Sequence, residues 1–220
     1  MNNTGVFSFA RKQSQRCPNK MLRPFANTTL TDIVLKKLAE FGDRAFFAGF
    51  EPEFEDRSRQ RGVKFIKRDK KSVNIDGPIT DILSFLKIVD FEYLLIVNAC
   101  LPFLRVKTIE NFLSECKNGG YHPAFSVIMR RNFFIDAKRQ PLNFDLSMKT
   151  INTKAVEPVY EFAHALYFFN KEYFFENGRY WDWKEVEFIE IQDKVELIDI
   201  DTEEDFKIAE DIYKTRREEA

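Results

Sequence analysis

Three cations, Arg11, Arg16 and Lys20, crowd one short segment with Ser14 among them, and Pro18 and Pro24 punctuate it. An arginine offers a planar fork to two phosphate oxygens and a lysine offers a point charge, so this set suits a phosphate chain. A basic run taken alone is more often a solvated loop, and that reading stands beside the first. The apolar run Val6–Ala10 just before it predicts a strand. Such a strand would deliver the loop to the carboxyl edge of a sheet, where open α/β sheets bind their ligands.

A second candidate lies near the other end, at Asp199-Ile200-Asp201. On extended backbone, residues two apart share a face, which sets the two carboxylates side by side. Hard oxygen ligands so arranged suit magnesium, which keeps several waters and binds substrate phosphates. The competing reading is structural: Asp201 or Thr202 caps the following helix, with Asp205 completing a capping-box pattern. His122 and His164 are the two histidines, and neither neighbours a recognisable nucleophile motif. His122, before Pro123, reads as a turn residue; His164, in a strand-like run, is the candidate for substrate contact. The sequence holds no P-loop and no G-x-G-x-x-G.

The elements that must position these groups alternate. Strand patterns are expected at 6–10, 45–48, 63–67, 93–97, 124–129, 163–169 and 187–190. Helical patterns are expected from Leu30 to Leu38, Glu51 to Arg61, Ile79 to Val89, Thr108 to Cys116, Tyr173 to Trp183 and Thr202 to Arg217. Tyr93–Val97 is nearly all apolar, as a central strand covered on both faces requires. This rhythm predicts an α/β fold with right-handed βαβ units on a mostly parallel central sheet. Residues from about 130 to 159 break it and read as an excursion, plausible as a dimer arm; a long surface loop is the alternative.

With 220 residues, 44% of them hydrophobic and 24 of them Phe, the chain can bury the core of one domain, taken as residues 1–220. Lys plus Arg number 34 against 35 Asp plus Glu, so no global basic excess argues for nucleic acid, and any anion site must be local. No apolar run approaches the roughly 20 residues that span a bilayer, and no secretory leader is recognised. Cys17, Cys100 and Cys116 lack metal-ligand spacing and read as free thiols of a reducing compartment, so a cytoplasmic protein is expected.

The order Ala10-Arg11-x-x-Ser14-x-Arg16-x-Pro18-x-Lys20 resembles the signature of the acylneuraminate cytidylyltransferase family. The likeness extends over most of the chain. Asp199-Ile200-Asp201-Thr202-Glu203-Glu204-Asp205-Phe206 is similar to that family's C-terminal motif, and the run ending at Asn98, with Pro102-Phe103-Leu104 after it, resembles its strand-end loop. The resemblance implies a Rossmann-like nucleotide-diphospho-sugar transferase fold. It implies transfer of CMP from CTP to an acidic sugar, with pyrophosphate release, in surface glycan biosynthesis. It assigns Ala10, Arg11, Ser14, Arg16 and Lys20 to the nucleotide, Arg11 and Lys20 having catalytic roles. Arg68 falls to the border of the cytosine pocket, Asn98 to sugar or nucleotide, and Asp199 and Asp201 to Mg2+. A homodimer is implied as well. The chain departs from the pattern at Gln15, at Met21, at Phe46–Phe50 and at Ala163-His164-Ala165-Leu166-Tyr167, where the family has Asn-Gly-Ala-Ile-Tyr. The phosphate and metal ends are mostly kept and the sugar end is altered, so a non-sialic acceptor, another sugar acid of a surface glycan, is expected. The changes at Gln15, Met21 and Ala163 motivate a competing expectation, a nucleotide-binding regulator or scaffold of the same fold without turnover.

Overall fold

A computed structural model describes residues 3–74 and 76–218. Seven strands form one sheet: β1 (Thr4–Phe9), β2 (Ala45–Gly49), β3 (Lys64–Lys67), β4 (Tyr93–Val97), β5 (Ala124–Arg130), β6 (Val159–Asn170) and β7 (Glu187–Glu190), in spatial order β3-β2-β1-β4-β6-β5-β7. All pairings are parallel except those of β6 with β4 and β5. The helices are α1 (Leu30–Ala39), α2 (Pro52–Gln60), α3 (Ile79–Ile82), α4 (Val106–Asn118), α5 (Lys171–Asn177) and α6 (Glu203–Glu218).

Side chains alternate across each strand, so the two faces of the sheet build two cores. Val6, Phe47, Leu95 and Phe168 pack on one face under α1, α4 and α6; Phe7, Phe46, Leu94 and Phe169 pack on the other. Double coverage explains why β4 reads as an unbroken apolar run. Its neighbour on one side is parallel, as the sequence predicts, and on the other antiparallel. A parallel partner needs a crossover that carries the chain back to the strand's starting edge. The segment 131–158 contains only one short 3-10 turn, at Thr153–Ala155, so the chain re-enters the sheet at the edge it left. Asn143 braces this excursion, donating to the carbonyls of Asn132 (2.7 Å) and Glu157 (2.6 Å).

One expected helix is cut short. The pattern from Ile79 to Val89 predicts a continuous helix, but the chain makes one α turn and then a 3-10 stretch at Ser84–Ile88. The Ile82 carbonyl, which a continuing helix would use, accepts instead from Ser72 Oγ at 2.6 Å.

Gly5 makes a close approach possible. A β-carbon there would stand 2.5 Å from the Phe91 ring. Gly5→Ala should therefore cost about 1–3 kcal/mol through forced repacking, read as a lowered urea midpoint; an unchanged midpoint would refute this packing.

Lys37 on α1 is buried, and its Nζ donates to the carbonyls of Leu101 (2.7 Å) and Pro102 (3.1 Å), fixing the loop after β4. Burial pulls its pKa down to about 7, with Glu196 opposing. Above that value the unfolded chain holds the extra proton, so stability should rise with pH from about 7 towards 8.5. Urea midpoints across that range should climb for the wild type, and the climb should shrink in Lys37→Met. Equal slopes would show that Lys37 is not the titrating group.

Candidate active site

The cationic loop leaves β1 at the carboxyl edge of the sheet and is anchored by its apolar members. Cys17 and Met21 are buried in the core, and Ala10 N–H donates to the Ala48 carbonyl at 3.0 Å. Arg23 ties the loop's far end to α6, with Nη1 and Nη2 donating to Glu203 at 2.7 and 2.9 Å and the guanidinium 3.7 Å over the Phe206 ring.

The loop meets the Asp199-Ile200-Asp201 segment directly. Arg16 Nη2 lies 3.0 Å from Asp201 Oδ1, and Lys20 Nζ lies 3.4 Å from the same oxygen. Lys20 Nζ also donates to the Ile200 carbonyl. Its side chain is only 12% exposed. Burial works against its charge, but Cys100, Asp201 and Asp199 outweigh that and raise its pKa, so it stays an ammonium.

Capping and ligation, which compete in the sequence, fall to different residues. Asp205 N–H donates to Thr202 Oγ1 (3.2 Å) and Thr202 N–H to Asp205 Oδ2 (2.8 Å), a reciprocal cap on α6. Asp201 is thereby left facing the cleft. Asp199 sits deeper. Burial first, then the charge of Asp201, raises its pKa, and its Oδ1 is buried with no hydrogen-bond partner among the described residues. Lys20, His164 and Asn98 act in the opposite direction.

These groups surround a cleft with two lobes. The first, of about 360 Å3, is lined by Arg11, Ser14, Arg16, Lys20, Arg68 and Asp201, with Ala10 and Asn98 at its margins. Gln15, one of the departures from the family's pattern, also faces it. The second, of about 340 Å3, is lined by Phe9, Leu83, His164, Tyr167 and Tyr180. The lobes share Phe9, Asn98 and Ala99, at the carboxyl ends of β1 and β4.

Of the candidate residues, Ala10, Arg11, Ser14, Arg16, Lys20, Arg68, Asn98, His164 and Asp201 line this cleft, while Asp199 lies behind it, 3.5 Å from the Asn98 amide, and His122 lies elsewhere. Arg68 is buried, and its donors go to the protein: Nη1 to the Ala10 carbonyl (3.1 Å), Nε to Ser72 Oγ (3.0 Å), Nη2 to the Ser72 carbonyl. It rests 5.0 Å over the Phe9 ring, and burial lowers its pKa to about 10. It presents a face to the first lobe and braces the start of the loop. Arg11 Nη1 donates to the Val73 carbonyl at 3.3 Å. Asn98 bridges the lobes, donating to the His164 carbonyl (2.9 Å) and accepting from Cys100 N–H (2.8 Å).

Cys100, beside Lys20, and the two tyrosines were not singled out. Burial raises the Cys100 thiol to about 11, so it is neutral and unreactive. Tyr167 follows His164 at a spacing that a bulge makes effective, and no spacing rule reveals the bulge.

Could two carboxylates hold a metal here? Among the described residues no group of three or more His, Cys, Asp or Glu forms a metal cage. A paired carboxylate site with an orphaned oxygen does fit a magnesium ion that completes its shell with waters and phosphate oxygens.

Solved structures share this architecture across nearly the whole chain. A CMP:2-keto-3-deoxy-manno-octonic acid synthetase complexed with CTP is 11% identical and superposes with a TM-score of 0.69, covering 98% of this chain and 100% of that one. The 4-diphosphocytidyl-2C-methyl-D-erythritol synthase from Anaerococcus prevotii is 12% identical (TM-score 0.64; 97% and 96% covered). A cytidylyltransferase from Leptospira borgpetersenii is 16% identical (TM-score 0.60; 96% and 86% covered). At these identities the likeness establishes the fold, that of the nucleotide-diphospho-sugar transferases. Residues 11–167 match the family model described as the MobA-like NTP transferase domain, and the chain belongs to that family. No curated protein matches it in sequence. No helix among the described residues is long and apolar enough to cross a membrane.

Proposed function

We propose that this NTP transferase domain is a cytidylyltransferase, joining CMP from CTP to an acceptor oxygen and releasing pyrophosphate. The observation that carries the reading is the convergence of Arg16 and Lys20 on Asp201 at the mouth of one cleft, although they are far apart in the chain. Arg11, Arg16 and Lys20 bind and orient the triphosphate, with Ser14 as a hydrogen-bonding partner, and Lys20 stabilises charge as it develops on the leaving group. Asp199 and Asp201 would hold magnesium, which neutralises phosphate charge when bound. The choice of CTP is supported by the names of the three similar structures.

The acceptor belongs in the second lobe, beside Asn98 and His164. The sequence resemblance implies an acidic sugar for a surface glycan, and such an acceptor would have to place its carboxylate near Arg16, at the margin of the first lobe. Exposed Ile135 (59%), Leu142 (64%), Leu146 (76%) and Ile151 (92%) on the excursion go with a homodimer, which sedimentation would test. A CTP-dependent enzyme of this kind would act in the cytoplasm.

A thermal-shift comparison of CTP, UTP, ATP and GTP with magnesium tests the reading, since a preferred ligand raises the midpoint by mass action. CTP should give the largest rise. Equal or absent shifts for all four would refute it. A CTP shift without pyrophosphate release from any acceptor would favour the non-catalytic scaffold.

A further inference from the structure

The second lobe is built around a strained histidine. Phe125 pairs with Tyr167 and Val127 with Phe162, so a single residue of β5, Ser126, faces the four residues Ala163–Leu166 of β6. Ser126 Oγ accepts from the N–H groups of Ala165 (3.2 Å) and Leu166 (2.9 Å), holding the bulge open. Within it His164 has φ +50, left-handed backbone that a side chain makes costly and glycine takes freely. Backbone strain held in place by surrounding structure gathers at working sites. Here the side chain kept at that cost is an imidazole whose Nδ1 meets the Tyr167 hydroxyl, while the main-chain carbonyl of His164 accepts from Asn98 Nδ2.

The rest of the lining points the same way. Apolar Phe9, Leu83 and Ile96 line the lobe with the phenols of Tyr167 and Tyr180, and no Lys or Arg does so among the described residues. Burial raises Tyr180 to about 12 and Tyr167 further, so both phenols remain neutral donors. Carboxylates and phosphates are recognised by Arg and Lys, which this cleft confines to its first lobe. Aromatic and hydroxyl walls suit the face of a neutral sugar or polyol. A neutral hydroxyl also needs a base, because it must lose its proton to become a good nucleophile. An anionic phosphate acceptor would need none.

We propose that the aromatic lobe binds an uncharged alcohol, such as the hydroxyl of a neutral sugar or polyol, and that His164 Nε2 takes its proton during transfer. The proposal rests on the cytidylyltransferase reading and narrows it. The acceptor oxygen forms a bond to the α-phosphorus of CTP. The bond from that phosphorus to the α,β-bridging oxygen breaks, and its electron pair leaves with pyrophosphate. The acceptor's proton passes to Nε2 and then to water. The tautomer required has Nδ1–H donating to Tyr167 Oη, which leaves the Nε2 lone pair free and the Tyr167 hydroxyl able to donate to the acceptor.

The test uses glycerol at molar concentration as the probe alcohol, with CTP and magnesium, and follows CMP-glycerol by chromatography. His164→Gly should fold at least as well as the wild type, because glycine relieves the strain, and should react about 100-fold more slowly. Imidazole in solution should restore at least a tenth of the lost rate by filling the vacated space. His164→Asn tolerates the same backbone without leaving that space, so it should be slow and not rescued. A His164→Gly rate equal to wild type, or absence of imidazole rescue, overturns the base. N-acetylneuraminate and 2-keto-3-deoxy-manno-octonic acid are offered in glycerol's place at equal concentration, and faster reaction with either overturns the uncharged acceptor. Calorimetric CTP binding on the same samples separates the failures. No CTP binding defeats the cytidylyltransferase reading itself, whereas tight binding with no CMP-glycerol from the wild type defeats only this narrower proposal.

Discussion

Lys20→Met will lower CTP turnover by about two to three orders of magnitude, the scale expected when a preorganised charge facing a transition state is removed. Lys20 is nearly buried, so water cannot substitute for it, and its ammonium already stands between the loop and the carboxylates. The loss should appear both in CTP affinity by calorimetry and in steady-state pyrophosphate release. Lys20→Arg should recover part of the binding and little of the rate, because a planar fork cannot occupy the space of a point charge. Stability should fall as well, since Asp199 and Asp201 would repel each other without their common cation. Turnover by Lys20→Met within threefold of wild type would remove this residue from the chemistry.

Asp199→Asn should abolish magnesium-dependent turnover, by at least about 100-fold, and yet raise the metal-free melting temperature. Burial and the neighbouring Asp201 hold the Asp199 carboxyl above its ordinary pKa. A carboxyl raised on folding binds its proton more tightly in the native state, so it costs stability above its folded pKa and regains it as pH falls. An amide of the same shape avoids that cost wherever the carboxyl is ionised. The wild type and Asp199→Asn should therefore converge in stability as the pH is lowered through the carboxylate range. Scanning calorimetry with chelator checks the sign. A lower melting temperature for Asp199→Asn at neutral pH would show that the carboxylate serves the fold rather than a cation.

Much of this architecture is legible because alternation and apolar runs are local signals. Tyr93–Val97 identifies the doubly covered strand, and Leu30 to Leu38 identifies α1, though which of Thr29 and Thr31 caps it is decided only in the structure, where it is Thr29. The pairing of β6 is not legible, since strand direction depends on whether the preceding segment crosses over, and 131–158 carries no pattern that decides it. The break at Leu83 is equally hidden: it follows from a hydrogen bond made by Ser72, which precedes the helix pattern. In the cleft, charge types and the D-x-D spacing announce the first lobe. The second lobe is only partly legible: His164 and Asn98 are marked in the sequence, but its organising feature, the bulge opposite Ser126, is a register event between two strands. Arg68 shows a further limit: only the structure reveals that this cation, assigned to the nucleotide by resemblance, also gives its donors to Ser72 and the Ala10 carbonyl.

The bond from Lys20 to the Ile200 carbonyl joins residues 180 apart in the chain. Ile200, Phe206 and Ala209 lie beyond the last strand, yet they are buried in the core on one face of the sheet. The segment that carries Asp199 and Asp201 is therefore set by the same packing that covers the sheet, so the triphosphate grip and its scaffold are one unit. A chain cut after β7 would uncover the apolar face that Phe206 and Ala209 seal, so losing that segment should weaken the whole domain as well as remove the far wall of the cleft.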